Sequence, residues 1–212
     1  MEDVLWLYHL PYEKKRPVIC LDELPFQLLG EKVEPLRMKE GKEKKFDSEY
    51  TRCGVASVFL AFEPLTGRRL VRVYPRRTKS DYCRFQQEVA SEWSEAEVIV
   101  EVQDNLNTHN ASSFYENLPA AEARELTRRF EMHYTPKKAS WLNMAEMELS
   151  ALARQCLARR IPEIETLSRE LESIVKERNR LAIKFKWQFT VENAREKLDR
   201  HYENVILKTN VT

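Results

Sequence analysis

The chain has 212 residues, of which 35 are basic and 34 acidic, so its formal net charge of +1 disfavours a stand-alone, high-affinity DNA binder. Hydrophobic residues make up 42% of the sequence, enough for the core of one moderate domain, and the longest apolar run is too short to cross a membrane. The cysteines are widely spaced and form no CxxC pair, which argues against a compact zinc site or a disulfide scaffold and is typical of reduced thiols in a cytosolic protein.

The first half of the chain predicts a strand, a hairpin and a helix. Apolar residues 17–22 follow a basic turn and end at an acid, which is typical of a buried strand. The turn sequence Pro64-Leu65-Thr66-Gly67 separates an apolar run from an alternating one and predicts an antiparallel hairpin. In chain order we expect a short helix within residues 2–11, a strand over 17–22, a solvated charged loop over 31–53, strands over 55–62 and 69–74, and a helix capped by Ser80 or Asp81 that ends near Trp93.

The second half alternates strands with helices. An apolar run predicts a strand over residues 96–102, and helical spacing of apolar residues predicts helices over most of the remaining chain. The further expected elements are short helices near 111–117 and 119–129, a strand over 130–134, and helices over 143–160, 164–185 and 191–207. This order predicts an α/β fold in which helices flank a mixed sheet.

Two aspartates at predicted strand ends are the first candidates for a metal site. Asp22 ends the first strand, and Asp104 follows the strand over residues 96–102. Ligands of open α/β sheets bind outside such strand ends, where two neighbouring carboxylates repel each other unless a cation lies between them. Mg²⁺ suits this arrangement because it prefers oxygen ligands, and Glu146 in a later helix is the candidate third acid.

Each of these acids also has a purely structural interpretation. An aspartate at a strand end often only starts a turn. Asn143 and Glu146 have the spacing of a helix capping box, so Glu146 can serve the helix start alone. The sequence contains no G-x-S-x-G elbow and no Gly-rich phosphate loop, which argues against a serine hydrolase and a P-loop enzyme.

Polar residues cluster around Asp104. Asn105 and Asn107 can hold its carboxylate or simply form a loop. His109 lacks partners at metal-ligand spacing, so we expect it to support the site rather than to bind metal. Trp141 can stack on a base or pack beside a helix start, and packing is the favoured role.

Four segments of the sequence resemble a known family. In chain order they are VICLDE, AFEPLTGRRLVRVYPRRTKSDY, VQDNLNTH and HYTPKKASWLNMAEMELSALARQCLARRIP. Together they are similar to the DDE endonuclease domain of bacterial insertion-sequence transposases of the mariner-like superfamily. The resemblance covers roughly residues 16–202 and implies an RNase H-like fold with additional C-terminal helices.

The resemblance also implies which residues act and by what chemistry. It assigns catalytic and metal-binding roles to Asp22, Asp104 and Glu146, with Asn105, Asn107, His109 and Asn143 as supporting residues around them. The implied cofactor is a pair of Mg²⁺ ions, for which Mn²⁺ can substitute. The implied reaction is hydrolysis of a phosphodiester at the end of a mobile element, followed by attack of the freed 3′-hydroxyl on target DNA.

DNA is then the implied partner, both as element ends and as target. The predicted DNA-binding residues are Arg76, Arg77, Lys79, Lys137 and Lys138. Phosphate contacts of this kind position DNA without reading its sequence, and the alternative for each cluster is a solvated surface. The resemblance further implies a homodimer in the active complex, no membrane partner, and a place in the bacterial cytoplasm beside the nucleoid.

The domain organisation departs from the family pattern. We expect a short helical lead-in over residues 1–15 and a catalytic domain over 16–207, without the helix-turn-helix domain that complete members carry ahead of it. A separate helix-turn-helix subunit is one way to replace that domain. The alternatives are an inactive remnant that acts as an interaction or regulatory subunit, and an RNase H-type nuclease that cleaves RNA–DNA hybrids.

Overall fold

Five strands and seven α-helices lie in the part of the chain that the computed structural model describes, residues 1–32, 48–137, 139–197 and 199. In chain order they are α1 (Glu2–Leu7), β1 (Val18–Glu31), β2 (Tyr50–Glu63), β3 (Arg68–Tyr74), α2 (Lys79–Glu92), β4 (Ile99–Gln103), α3 (Ser112–Asn117), α4 (Ala120–Arg128), β5 (Phe130–Tyr134), α5 (Met144–Cys156), α6 (Ile164–Arg180) and α7 (Val191–Lys197), with a 3₁₀ turn at Ser140–Leu142. Among these described helices, none combines the length and the apolar character that a membrane span requires.

The strands form one mixed sheet in the order β3-β2-β1-β4-β5. β2 pairs antiparallel with β1 and β3, whereas β4 pairs parallel with β1 and β5. The predicted hairpin is therefore confirmed as β2–β3, and the mixed sheet flanked by helices confirms the predicted α/β fold. The turn between β2 and β3 requires Gly67, because its φ is +81° and a Cβ there would lie 2.7 Å from the backbone oxygen of Ile183.

The first two strands are longer than the sequence pattern predicts. β1 continues past Asp22 because β2 pairs with it along most of its length, so the prediction that Asp22 ends a strand is wrong. β2 begins at Tyr50 within the expected charged loop, and residues 33–47 of that loop lie outside the described residues. The expected cap of α2 is also wrong: Thr78 caps this helix, and Asp81 completes its capping box.

The C-terminal helices are shorter than predicted. α5 ends at Cys156 and α6 at Arg180, after which residues 183–190 run without regular secondary structure. The last predicted helix begins at Val191 as expected and is described as α7 to Lys197. Residues 198 and 200–212, which hold the rest of that prediction, lie outside the described residues.

The sheet separates two hydrophobic cores. On one face, α1, α5 and α6 pack against side chains that include Cys20 and Val58. On the other face, α2, α3 and α4 pack against side chains that include Leu21 and Phe59. Successive residues of a strand point to opposite faces, so β1 and β2 contribute to both cores. The N-terminal helix belongs to the first core, where Leu5 is fully buried.

A buried ion-pair cluster joins α5 and α6 to β3. The carboxylate of Glu148 accepts hydrogen bonds at 2.6 Å from the Nε atoms of Arg69 and Arg178, and all three residues are buried. Burial raises the pKa of Glu148, but hydrogen bonds from the two guanidinium groups lower it more, so the net pKa lies below its usual value. The carboxylate is therefore ionised at neutral pH and offsets two buried cations.

We expect Glu148→Gln to lower the free energy of unfolding by about 3–5 kcal/mol, because the change leaves two guanidinium groups buried without an anion. Urea denaturation followed by circular dichroism measures the loss. The control Glu97→Gln removes an exposed ion pair with Lys15 and is expected to change stability little. Equal midpoints for the two variants would contradict the role assigned to Glu148.

Candidate metal centre

The parallel pairing of β1 with β4 places two aspartates side by side. Cys20 is aligned with Val102 in this pair, and Asp22 and Asp104 each come two residues later along their chains. Asp104 is the first residue beyond β4, whereas Asp22 remains inside β1. Cys20 points into the core that contains α5, so Asp22, two residues further on, faces the same side of the sheet.

Asn143 fixes the start of α5 against β1. Its Nδ2 donates to the backbone oxygen of Leu21 at 2.7 Å, and its Oδ1 accepts from the backbone nitrogen of Ala145 at 3.1 Å. Glu146 lies in the first turn of α5 and is exposed. Its carboxylate does not close a capping box and has no hydrogen-bond or ion-pair partner among the described residues. The helix start is thus capped by Asn143 alone, which leaves Glu146 available for another role.

The electrostatics of Asp22 link the three predicted acids. The net pKa of Asp22 is raised to about 7. Burial is the largest cause, the carboxylates of Glu23, Asp104 and Glu146 add to it, and the backbone N–H of Glu23 opposes it by hydrogen bonding to the Asp22 carboxylate at 2.8 Å. Asp104 and Glu146 therefore both lie within electrostatic range of Asp22. All of the charged side chains in the described residues that shift the pKa of Asp22 are acids, so negative charge accumulates on this face of the sheet.

His109 connects Asp104 to a second acid on the opposite face. Its Nε2 lies 2.6 Å from Oε1 of Glu23, and both side chains are buried. Its Nδ1 has hydrogen-bond geometry with the backbone oxygen of Asp104 at 3.2 Å and lies 2.5 Å from Oδ1 of the same residue. Of all described residues, only Glu23, Asp104 and His109 form a group of three whose ligand-type atoms lie within 4.8 Å of one another.

The charge on His109 decides how that group behaves. Burial lowers the pKa of His109, but the carboxylates of Asp104 and Glu23 raise it more, so the net pKa is about 10. The imidazole is therefore a cation at neutral pH. Without a metal ion, His109 therefore bridges two carboxylates as a cation, and it would have to lose a proton to become a metal ligand.

The three predicted acids offer the type of oxygen atom that a divalent cation accepts, but in this structure their carboxylates do not form a group within 4.8 Å of one another. Oδ1 of Asp104 is buried and lies 2.5 Å from Nδ1 of His109, although the contact lacks hydrogen-bond alignment. Asp104 and Glu146 both act electrostatically on Asp22, and carboxylate oxygens are hard donors of the type that Mg²⁺ and Mn²⁺ accept. A cation among these groups would also remove the mutual repulsion that raises the pKa of Asp22.

Two acids that border this centre were not predicted from the sequence. Glu23 follows Asp22 directly and so points to the opposite face of β1, where it meets His109. Glu101 lies in β4, where burial raises its pKa to about 7 and Nε2 of Gln86 donates to it at 2.6 Å. Both positions carried a visible signal, because an acid inside an otherwise apolar strand must find a buried partner.

The remaining predicted site residues are not brought together. Asn105 and Asn107 are exposed, and their side chains make no hydrogen bond among the described residues. Three of the predicted DNA-binding residues are exposed and have no ion-pair partner in the described part of the chain: Arg76, Arg77 and Lys137. Lys79 contacts Ser112 at 3.4 Å and pairs with Glu116. Lys138 lies outside the described residues. Arg76, Arg77 and Lys137 therefore keep their positive charge available to an anionic ligand, whereas the charge of Lys79 is offset by Glu116.

The family model of the DDE superfamily endonucleases matches residues 17–168 of the chain. The chain belongs to this family. The matched range contains Asp22, Asp104 and Glu146, together with Glu23 and His109. No curated protein sequence matches this DDE endonuclease family member at a significant level.

Two solved structures of Mos1 are similar to this family member. A Mos1 mariner paired end complex with Mn has a TM-score of 0.54 and 15% sequence identity, over 86% of this chain and 55% of the Mos1 chain. A pre-cleavage Mos1 transpososome has a TM-score of 0.49 and 13% identity, over 86% of this chain and 59% of that chain. The first likeness shows that the fold is RNase H-like, as predicted. The chain spans little more than half the length of the Mos1 chains.

We expect Glu23→Gln and His109→Gln to be coupled in a double-mutant cycle, by about 0.5–3 kcal/mol in the free energy of unfolding. His109→Gln leaves the Glu23 carboxylate buried without its cation, and Glu23→Gln leaves the His109 cation with Asp104 but without Glu23, so the double variant loses less than the sum of the two. Urea unfolding of the four proteins measures the coupling.

The matched control for this cycle combines His109→Gln with Glu97→Gln. Glu97 lies just before β4, at the opposite end of the strand from Asp104, and its ion-pair partner among the described residues is Lys15, so these two changes should be additive. Additive energies for Glu23 and His109 as well would mean that the 2.6 Å contact between them contributes nothing to the stability of the site.

Proposed function

We propose that the chain is the catalytic domain of a transposase, which cleaves DNA strands and joins a freed 3′ end to target DNA with the help of a divalent metal ion. The observation that carries this proposal is the alignment of Asp22 with Asp104 where β4 ends, with Glu146 within electrostatic range of Asp22. Membership of the DDE superfamily endonucleases supports the same chemistry. Mg²⁺ is the proposed cofactor, with Mn²⁺ as a substitute and two ions at the site.

Asp22, Asp104 and Glu146 would hold the cofactor. A divalent ion at such a site supplies Lewis acidity toward a phosphate oxygen and stabilises the charge that develops on the leaving oxygen. The contribution of the chain itself is to position the carboxylates that would bind the ion. Asn143 holds the first turn of α5, and therefore Glu146, against β1 through its 2.7 Å bond to the Leu21 carbonyl. Carboxylates that are already placed when DNA arrives need no costly reorganisation during the reaction.

Glu23 and His109 act on the opposite face as positioning residues. The His109 cation binds the buried Glu23 carboxylate with Nε2 and contacts Asp104 with Nδ1, which restricts the rotation of the Asp104 carboxylate. Ring stacking of His109 on Tyr82, with centroids 4.9 Å apart, keeps the imidazole in place. Partners of metal ligands elsewhere are worth about 10–100-fold in activity, which is the magnitude we assign to this pair.

DNA is the proposed substrate in both steps, as element ends and as target. Arg76, Arg77 and Lys137 are exposed without an ion-pair partner in the described residues and offer charge to a phosphate backbone. Mos1 was crystallised as a paired end complex and as a transpososome, which supports an assembly of protein and element ends for this chain too. A homodimer is the proposed form of that assembly.

We expect Asp104→Asn to abolish metal-dependent nicking of supercoiled plasmid, with a loss of more than about 100-fold, because partners of metal ligands alone are worth 10–100-fold. The assay compares the variant with the wild type in Mg²⁺ and in Mn²⁺, and circular dichroism checks that both are folded. Glu97→Gln, which changes an exposed acid outside the site, is the matched control and should nick like the wild type.

Nicking that survives in Asp104→Asn would overturn the proposed site. An RNA–DNA hybrid of the same sequence, tested beside the duplex, separates the proposal from a related activity. Faster cleavage of the hybrid than of the DNA duplex would identify an RNase H-type nuclease instead of a transposase domain.

A further inference from the structure

Three aromatic side chains form a platform next to the start of α5, the helix that carries Glu146. The platform consists of Trp141, in the 3₁₀ turn before α5, and Trp187 and Phe189, in the irregular segment after α6. The rings of Trp141 and Trp187 are nearly parallel, at 17°, with centroids 6.3 Å apart. Phe189 meets Trp141 edge-on with a centroid distance of 5.6 Å. The expectation that Trp141 only packs is therefore incomplete, because 45% of this residue remains exposed.

The platform is anchored to the same elements as the catalytic acids. Tyr8 donates to the backbone oxygen of Leu142 at 2.7 Å and contacts Trp187 with a ring-centroid distance of 5.3 Å. Leu142 is followed by Asn143, whose side chain donates a hydrogen bond to the backbone carbonyl of Leu21, the residue before Asp22. Trp141 therefore lies two residues before Asn143, on the same backbone segment that positions Glu146.

Several lysines lie in the segments that carry the platform. Residues 183–190 alternate between half-buried apolar side chains and exposed polar ones, so Lys184 and Lys186 point outward while Trp187 packs inward. Lys137 is exposed on the other side of Trp141 along the chain. In the described part of the chain none of these three lysines has an ion-pair partner, and Nζ of Lys197 lies 5.4 Å from the centroid of the Phe189 ring.

Flat aromatic surface bordered by unpaired cations matches one kind of ligand. A nucleotide carries a base that stacks on indole and a phosphate that binds ammonium groups, and this combination is how proteins hold single-stranded nucleic acid without reading its sequence. An apolar protein segment would leave the three lysines without partners. The complementarity of charge and shape therefore favours DNA.

We propose that the platform stacks an unpaired nucleobase of the DNA strand whose phosphate lies at the metal centre. This inference rests on the proposed function, since it takes its substrate from that proposal. Trp141 supplies the exposed stacking surface, Trp187 and Phe189 hold its ring, and the flanking lysines bind the adjoining phosphates. A strand held in this way is fixed next to the cleavage point.

The test measures equilibrium binding of the full chain without divalent metal, so that no cleavage occurs. The probes are a fluorescein-labelled blunt duplex and the same duplex with a short single-stranded extension, and binding is measured by fluorescence anisotropy. Trp141→Leu removes stacking and keeps apolar cover over Trp187, whereas Trp141→Phe retains a stacking ring. Trp6→Leu is the matched control, because Trp6 is also exposed, at 55%, and lies in α1 outside the platform.

We expect Trp141→Leu to weaken binding of the extended duplex by roughly 5- to 150-fold, the range that base stacking on an aromatic side chain covers. Binding of the blunt duplex should stay within about twofold, because phosphate contacts dominate there. Trp141→Phe should recover most of the loss, and Trp6→Leu should bind both probes like the wild type.

Three results would overturn the inference. One is an extended duplex that binds Trp141→Leu and Trp6→Leu equally well, and another is a wild type that binds neither probe. The third is a self-association that sedimentation detects in the wild type and that Trp141→Leu abolishes while DNA binding is unchanged. If stacking fails but nicking remains dependent on Asp104, the platform is refuted and the proposed function stands. If stacking is found without any nicking, only the catalytic proposal fails.

Discussion

The parallel pairing of β1 with β4 is the constraint on which the site depends. It aligns Cys20 with Val102 and so brings Asp22 level with Asp104 at the point where β4 ends. A shift of one residue would turn every side chain of β1 to the other face of the sheet, and Asp22 would exchange places with Glu23. Two contacts oppose that shift: β2 pairs with β1 on its other edge, and Asn143 binds the carbonyl of Leu21. The long β1–β2 ladder, which extends well beyond the site, therefore serves the geometry of the acids.

Negative charge is offset differently on the two faces of this sheet edge. On the α2 face the protein supplies its own cation, since His109 lies between Glu23 and Asp104 and holds a proton well above neutral pH. On the α5 face no side chain among the described residues does so. Burial and the neighbouring acids raise the pKa of Asp22, while Glu146 is exposed and has no partner in the described part of the chain. The positive charge that this second face lacks is what a divalent ion provides.

Local sequence patterns predicted most helices and strands, but they could not predict contacts between residues that are distant in the sequence. The β2–β3 hairpin and β5 could be predicted from alternation and turn residues, because those signals act within a few residues. The length of β1 could not, since it depends on pairing with β2 across a charged stretch. Three acids of the site were expected from the resemblance, but Glu23 was not. Its partner His109 lies 86 residues away, and nothing in the spacing of the two joins them before the chain is folded.

The most direct test of the metal centre is the position of a bound cation, measured by anomalous diffraction from crystals of the chain soaked in Mn²⁺. We predict density in contact with the carboxylates of Asp22 and Asp104 and beside Glu146, with the bond between His109 and Glu23 intact. Density enclosed by Glu23, Asp104 and His109, with none near Asp22, would contradict this prediction. That result would make His109 a neutral metal ligand and would move the reactive centre to the α2 face of the sheet.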